Sequence, residues 1–232
     1  GRIDTTTHPF CTGPGPRDTR LTTRYDEHDF TSSLFGVMHE AGHGLYDQGL
    51  PPDDFGLPSG DAVSLGIHES QSRLWENHIG GSRRFWEHWF PRACELFPAL
   101  HGLPLDDFLT AIRRAEFSPI RVEADEATYD LHILLRFDLE RRLVRGELQV
   151  DDVPAAWNER FAHSFGSAPA NDAQGCLQDI HWSMGALGYF ATYSLGNLNA
   201  AQLAAAAQSD PAVKAGLDRA DYLPLLDWMR TR

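Results

Sequence analysis

The stretch His39-Glu40-Ala41-Gly42-His43 sets two imidazoles four residues apart with a carboxylate beside the first. On an α-helix, residues i and i+4 lie one above the other, so His39 and His43 can offer ring nitrogens to a single ion while Glu40 sits about 100° around the axis. With 11 His among 232 residues, shuffling gives this HExxH pattern roughly 0.03 times, so accident is a weak competitor. The flanks agree with a helix over 30–48. Asp29 is suited to the N-cap, Gly49 to the position just past the end, and Pro51 and Pro52 cannot continue the helix.

HExxH is the zincin arrangement, in which a metal is held by the histidines and the glutamate works on a metal-bound water. A catalytic zinc site usually has three protein ligands, so a third is expected downstream. Glu69 is the candidate, near the middle of a second apolar-periodic segment, 61–77, that can run antiparallel to the first. His68 is its rival but points about 100° away, so both cannot face one ion equally well. Asp47, four residues after His43, is placed either to orient an imidazole or to serve as an ordinary charge near a helix end. The acidic stretch Glu123, Asp125, Glu126, Asp130 with His132 reads as a helix start, with a second metal site as the alternative.

The remaining pattern is mainly α. Helices are predicted over 82–97, 105–116, 124–145, 153–165, 182–207 and 211–230 from apolar residues recurring at three and four. A turn at Gly13-Pro14-Gly15-Pro16 and a short β-type run over 20–25 predict a small sheet near the N-terminus. With 42% hydrophobic residues the chain can bury a core as one domain over 1–232. A net charge of −13 argues against a nucleic-acid partner, since phosphate binding needs clustered cations. Cys11, Cys94 and Cys176 are odd in number and scattered, which favours a reducing compartment. There is no signal-peptide pattern at the start, and the mildly apolar run 185–207 is too interrupted for a membrane span. The expected location is cytoplasmic.

Beyond the zincin motif the chain resembles the carboxypeptidase Taq family of zinc metallocarboxypeptidases. His8-Pro9-Phe10 matches the family's HPF, and Asp18-Thr19-Arg20-Leu21-Thr22 its DxRxT. The stretch Ile120-Arg121-Val122-Glu123-Ala124-Asp125 matches IRxxAD, and Gly175 to Trp182 matches GxxQDxHW. The resemblance places the third ligand in a His-Glu-Ser stretch, here at Glu69. It implies a zincin-type helical catalytic domain in much shortened form, since typical members look about twice this length and only their catalytic second half is matched. One departure is alanine for proline in Gly188-Tyr189-Phe190-Ala191-Thr192-Tyr193.

The implied activity is removal of single residues from the C-terminus of peptides. The expected metal is Zn²⁺, with Co²⁺ or another divalent ion as alternatives, because imidazole and carboxylate accept several first-row metals. Glu40 is the expected general base. By similarity to related zincins, His181, Tyr189 and Tyr193 are candidate donors to the developing oxyanion. Arg20 and Arg121 are chosen to read the substrate carboxylate, because arginine offers a bidentate fork and both lie inside family motifs. The resemblance adds His8 and Gln178 to the substrate groove and implies a homodimer. Two other readings stay open: an endopeptidase or oligopeptidase with an open groove, and a non-catalytic metal-binding half of a split enzyme.

Overall fold

The computed structural model describes residues 4–6 and 9–231. The element order is β1 (Asp4–Thr5), β2 (Cys11–Gly15), β3 (Asp18–Thr23), α1 (Phe30–Asp47), α2 (Leu65–Arg73), α3 (Arg83–Leu96), α4 (Leu105–Ile112), α5 (Tyr129–Val144), α6 (Val153–Phe165), α7 (Ala191–Gln208), α8 (Pro211–Leu217) and α9 (Leu223–Arg230). The fold is mainly helical with a small sheet near the N-terminus, as the sequence predicts. Two compact units are formed, one running through Ile112 and resuming at Leu195, the other Arg113–Ser194. No helix among the described residues is long and apolar enough to cross a membrane.

In the first unit the sheet has the order β1-β3-β2, with β1 parallel and β2 antiparallel to β3. The hairpin turn falls at Pro16-Arg17 rather than at Gly13–Pro16, and Arg17 takes φ 65 to close it. Gly13, Pro14 and Gly15 continue β2, with the pairing irregular between Thr12 and Gly15. Bulges and edge strands are where such residues are tolerated.

Helix α1 starts where Asp29 accepts from the backbone N–H of Thr31 at 3.0 Å and of Ser32 at 3.3 Å. These bonds satisfy two of the orphan donors of the first turn. Helix α2 starts one turn later than the 61–77 segment suggests, because Ser64 caps it by accepting from Ile67 N at 3.1 Å. After Arg73 the chain widens into a π-helical stretch, Leu74–Gly80, a local form common at functional sites. Helices α1 and α2 touch backbone to backbone. A Cβ on Gly42 would lie 2.6 Å from Gln71 O and from Ser72 Cα.

The unit's core has two parts. Leu74, Ile79, Ala200, Ala204, Val213 and Leu225 bury one side. Trp86, Phe90, Leu100 and Phe108 bury the other. The second unit closes on Leu135, Leu139, Trp157 and Phe161, between α5 and α6.

Four predicted helices differ in extent. Residues 182–190 form turns, with Gly185 and Gly188 at φ 76 and 83; left-handed glycines end helical propagation there. The 211–230 segment is broken by Ala220 at φ 55, and α9 restarts with Leu223 N donating to Asp221. Helix α4 stops at Ile112. Helix α5 begins at Tyr129 because Asp125 holds a preceding turn, accepting from Ala127 N, Thr128 N and Thr128 Oγ1.

The substitution Gly42→Ala is expected to destabilise the protein by about 1–3 kcal/mol, the usual cost of overpacking. A denaturant midpoint unchanged from wild type would show that the two helices can part without loss.

Candidate metal centre and active site

The α1–α2 contact carries a carboxylate to the two histidines. His43 Nε2 lies 3.5 Å from Glu69 Oε2 and His39 Nε2 lies 4.0 Å from it. One ligand atom from each of His39, His43 and Glu69 falls within 4.8 Å of the others. Glu69 is 8% exposed and is pressed from behind by α7, where a Cβ on Gly196 would meet Glu69 Cγ at 2.6 Å. No other set of three potential ligands this close occurs among the described residues, so the acidic stretch 123–132 does not form a second centre.

Each ligand's other polar atom is occupied, which aims the free one inward. His39 Nδ1 is 2.8 Å from Glu76 Oε2. Arg73 donates from Nη1 to that same oxygen at 3.1 Å and from Nε to Glu69 Oε1 at 3.1 Å. Glu69 Oε2 is thereby left for the centre. His43 Nδ1 is 3.1 Å from the His68 carbonyl oxygen and 2.6 Å from His68 Nδ1, while His68 Nε2 is 3.0 Å from Asp47. His68 thus links His43 to Asp47. Hydrogen bonds of this kind fix the tautomer and ring direction of metal-binding histidines, so the donor set fits a divalent metal held by Nε2, Nε2 and a carboxylate oxygen.

The electrostatics separate the two histidines. Burial alone would lower His39, but the hydrogen bond and charge of Glu76, with Glu69, raise it above the ordinary histidine value. His43 is pushed down to about 2 by burial and by the neighbouring His39 and His68. Glu76 is held below the carboxylate range despite its burial, by Arg73 and His39. Glu40, on α1, is 7% exposed. Burial, Asp47 and Glu40 push the Cys11 thiol up to about 12, which keeps it a protonated neighbour rather than a nucleophile.

The second unit gathers His181, Tyr189 and Tyr193. His181 Nε2 lies 3.1 Å from the Tyr193 hydroxyl, and the His181 and Tyr189 rings are 5.1 Å apart. Beneath them Asp179 bridges two buried guanidiniums. Its Oδ1 accepts from Arg121 Nη2 at 2.7 Å and Nε at 3.0 Å, and its Oδ2 accepts from Arg136 Nε at 2.7 Å. Arg121 also donates to Tyr129 at 2.8 Å and lies 4.9 Å from the Tyr193 ring centre. Burial works against the Asp179 charge, yet Arg136 and Arg121 hold its pKa down. Burial pulls Arg136 down to about 10.

Arg121 and Gln178, expected to touch substrate, have these polar atoms engaged inside the unit. Gln178 accepts from Arg121 N and donates to the carbonyls of Pro119 and Gln174. Arg20 is exposed and paired with Asp18 at 3.0 Å, a solvent-screened contact that exchanges easily. His8 lies outside the described residues. Sequence reasoning missed Glu76 and Arg73, although Glu69, Arg73 and Glu76 follow at i, i+4 and i+7, the spacing of one helix face.

HExxH histidines on one helix, a glutamate from the next and a buried glutamate beside them make the ligand arrangement of the zincin class. The family described as carboxypeptidase Taq (M32) metallopeptidase matches residues 1–232, and the chain belongs to that family. It is 52% identical over 233 residues to thermostable carboxypeptidase 1 of Thermus thermophilus, covering 100% of this chain and 46% of that protein. Carboxypeptidase 1 of Bacillus subtilis is 43% identical over 99% of this chain and 46% of its own length. The crystal structure of the M32 carboxypeptidase from Deinococcus radiodurans R1 superposes with a TM-score of 0.94 at 43% identity, covering 99% of this chain and 47% of that one. The chain thus spans about half the length of the curated relatives it matches.

Three outcomes follow. Glu76→Gln is expected to weaken metal binding by ~10–100-fold, whereas Glu87→Gln on the exposed face of α3 is expected to leave it unchanged; competition with a chelating dye measures both. Because His39 is raised, metal uptake near pH 6 must expel its proton, so affinity rises with pH until His39 is deprotonated and then levels off. Proton release in weak buffer should be larger at pH 6 than at pH 9, and equal release at both would contradict the assignment. In the second unit, Asp179→Asn strands two buried guanidiniums and is expected to cost about 3–5 kcal/mol in denaturant unfolding.

Proposed function

We propose that the chain hydrolyses the C-terminal peptide bond of peptides with a free C-terminal carboxylate. The observation that carries this reading is the convergence of His39 Nε2, His43 Nε2 and Glu69 Oε2, with Glu40 buried on the same helix as the two histidines. His39, His43 and Glu69 would hold Zn²⁺, or Co²⁺ or another divalent ion. When bound, such an ion polarises a carbonyl and lowers the pKa of water toward about 7.

The chain's own groups do the rest. Glu40 accepts the proton of the attacking water and returns it to the leaving amine. For the carbonyl oxygen as it gains charge, Tyr189, Tyr193 and His181 are the proposed donors. Arg20, with His8, is our candidate for the substrate's terminal carboxylate. Arg121 and Gln178 contribute through the buried cluster that supports Tyr193. The match of the family over 1–232 supports treating both units as one catalytic domain. A homodimer and a cytoplasmic location remain part of this proposal by similarity.

The coverage of under half of each relative favours weighing one second reading, a metal-binding half completed by a further segment. A blocked dipeptide with a free C-terminus separates the two when assayed with added metal. We expect turnover by the wild type, loss of at least ~100-fold in Glu40→Gln with metal binding retained, and no cleavage of the C-terminal amide. Cleavage of the amide would identify an endopeptidase. Stoichiometric metal with no cleavage of either substrate would identify a half-enzyme.

A further inference from the structure

A second concave surface in the first unit is unrelated to the metal ligands. It is a groove of about 1040 Å³ between the N-terminal half of α1 and helices α3 and α4. At 100° per residue, Phe30, Leu34 and Val37 share the α1 face that lines it, and that face points away from His39 and His43. Its floor is aromatic: Phe30 stacks on Phe97 at 4.1 Å, and Trp86 meets Phe108 edge-on at 4.5 Å. Its walls carry apolar side chains open to solvent, with Tyr25 64%, Trp89 40%, Leu96 56% and Leu103 36% exposed. One end is acidic, with Asp26, Glu27 and Asp29 against a lone His28.

We propose that this groove seats an amphipathic helix, apolar on the face that enters and basic along its flank, from a segment outside these 232 residues. Three observations carry the assignment. An apolar trough of this size with few converging polar groups suits a stripe of side chains at i, i+3, i+4 and i+7 better than a small ligand, which needs polar groups to fix its orientation. The acidic end, on a chain of net charge −13, selects a cationic flank and repels a second copy of itself. The matched relatives carry more than half of their length outside the matched region, so polypeptide to fill such a groove exists in the family.

The test uses the full chain and a dye-labelled 18-residue helical peptide with a leucine and phenylalanine stripe and lysine flanks. A twin with glutamate flanks is the control. Fluorescence anisotropy is expected to give a Kd below about 100 μM for the lysine peptide, with the twin at least ~10-fold weaker. Leu96→Glu and Leu103→Glu, both at exposed positions, are expected to weaken binding by ~10-fold or more while leaving the circular dichroism unchanged. Absence of binding, equal affinity for the twins, or indifference to both substitutions would overturn the proposal. Sedimentation showing that the chain alone dimerises, and that Leu96→Glu makes it monomeric, would instead assign the groove to a second copy.

Discussion

The site rests on the contact between α1 and α2 at Gly42. Two helix backbones meet there at a distance that no side chain permits, and this closeness lets Glu69 of one helix reach His39 and His43 of the other. A carboxylate is a short ligand. Had α2 been held off by even one methyl group, its oxygen would have fallen back from the imidazoles. Gly196 repeats the device on the far side, where α7 closes on the Glu69 stem. Two glycines thus fix the position of one carboxylate from opposite directions, and core packing is rigid enough to transmit such small differences.

Position is then converted into direction by hydrogen bonds. Glu76, Arg73 and Glu69 form a chain along one face of the second helix, and the π-helical stretch beginning at Leu74 carries Glu76 within that chain. The opposite histidine is served by His68 and Asp47. The second unit follows the same rule with different groups, since Asp179 between Arg121 and Arg136 supports the platform of Tyr193. Buried polar groups hold their geometry when each is satisfied, and a half-satisfied network is worse than none.

What the sequence revealed and what it hid divide along the range of the interactions. The metal helix is legible because its cap, its stop and its i, i+4 pair are all local, and the small sheet follows from its β-branched run. The approach of Glu69 to the histidines is legible because a third ligand is expected on chemical grounds and the family motif points to it. The role of Gly196 is not, since its partner lies more than a hundred residues away and a lone glycine in a helix says nothing about what approaches it. The partner of Arg121 inside its own unit is hidden for a related reason. An arginine in a motif suggests an anion, and here the anion is Asp179, brought in by the fold. The apolar spacing predicts helix through 182–190, although Gly185 and Gly188 stand close enough together to signal turns.

The charges around the centre give the same answer by a separate route. Asp47, Glu69 and Glu76 bring three carboxylates to it, directly or through an imidazole, and Arg73 brings a guanidinium. Burial strengthens their mutual repulsion, because screening by water is weakest where access is least. A region built this way favours a positive guest. The raised affinity of His39 for a proton expresses that preference with the smallest cation, while His43, pushed down to about 2, stays a neutral donor. A divalent ion competes for the same His39 lone pair but satisfies both imidazoles and Glu69 together, which a proton cannot do. The arrangement that makes His39 basic is therefore the arrangement that suits His39, His43 and Glu69 to a divalent ion.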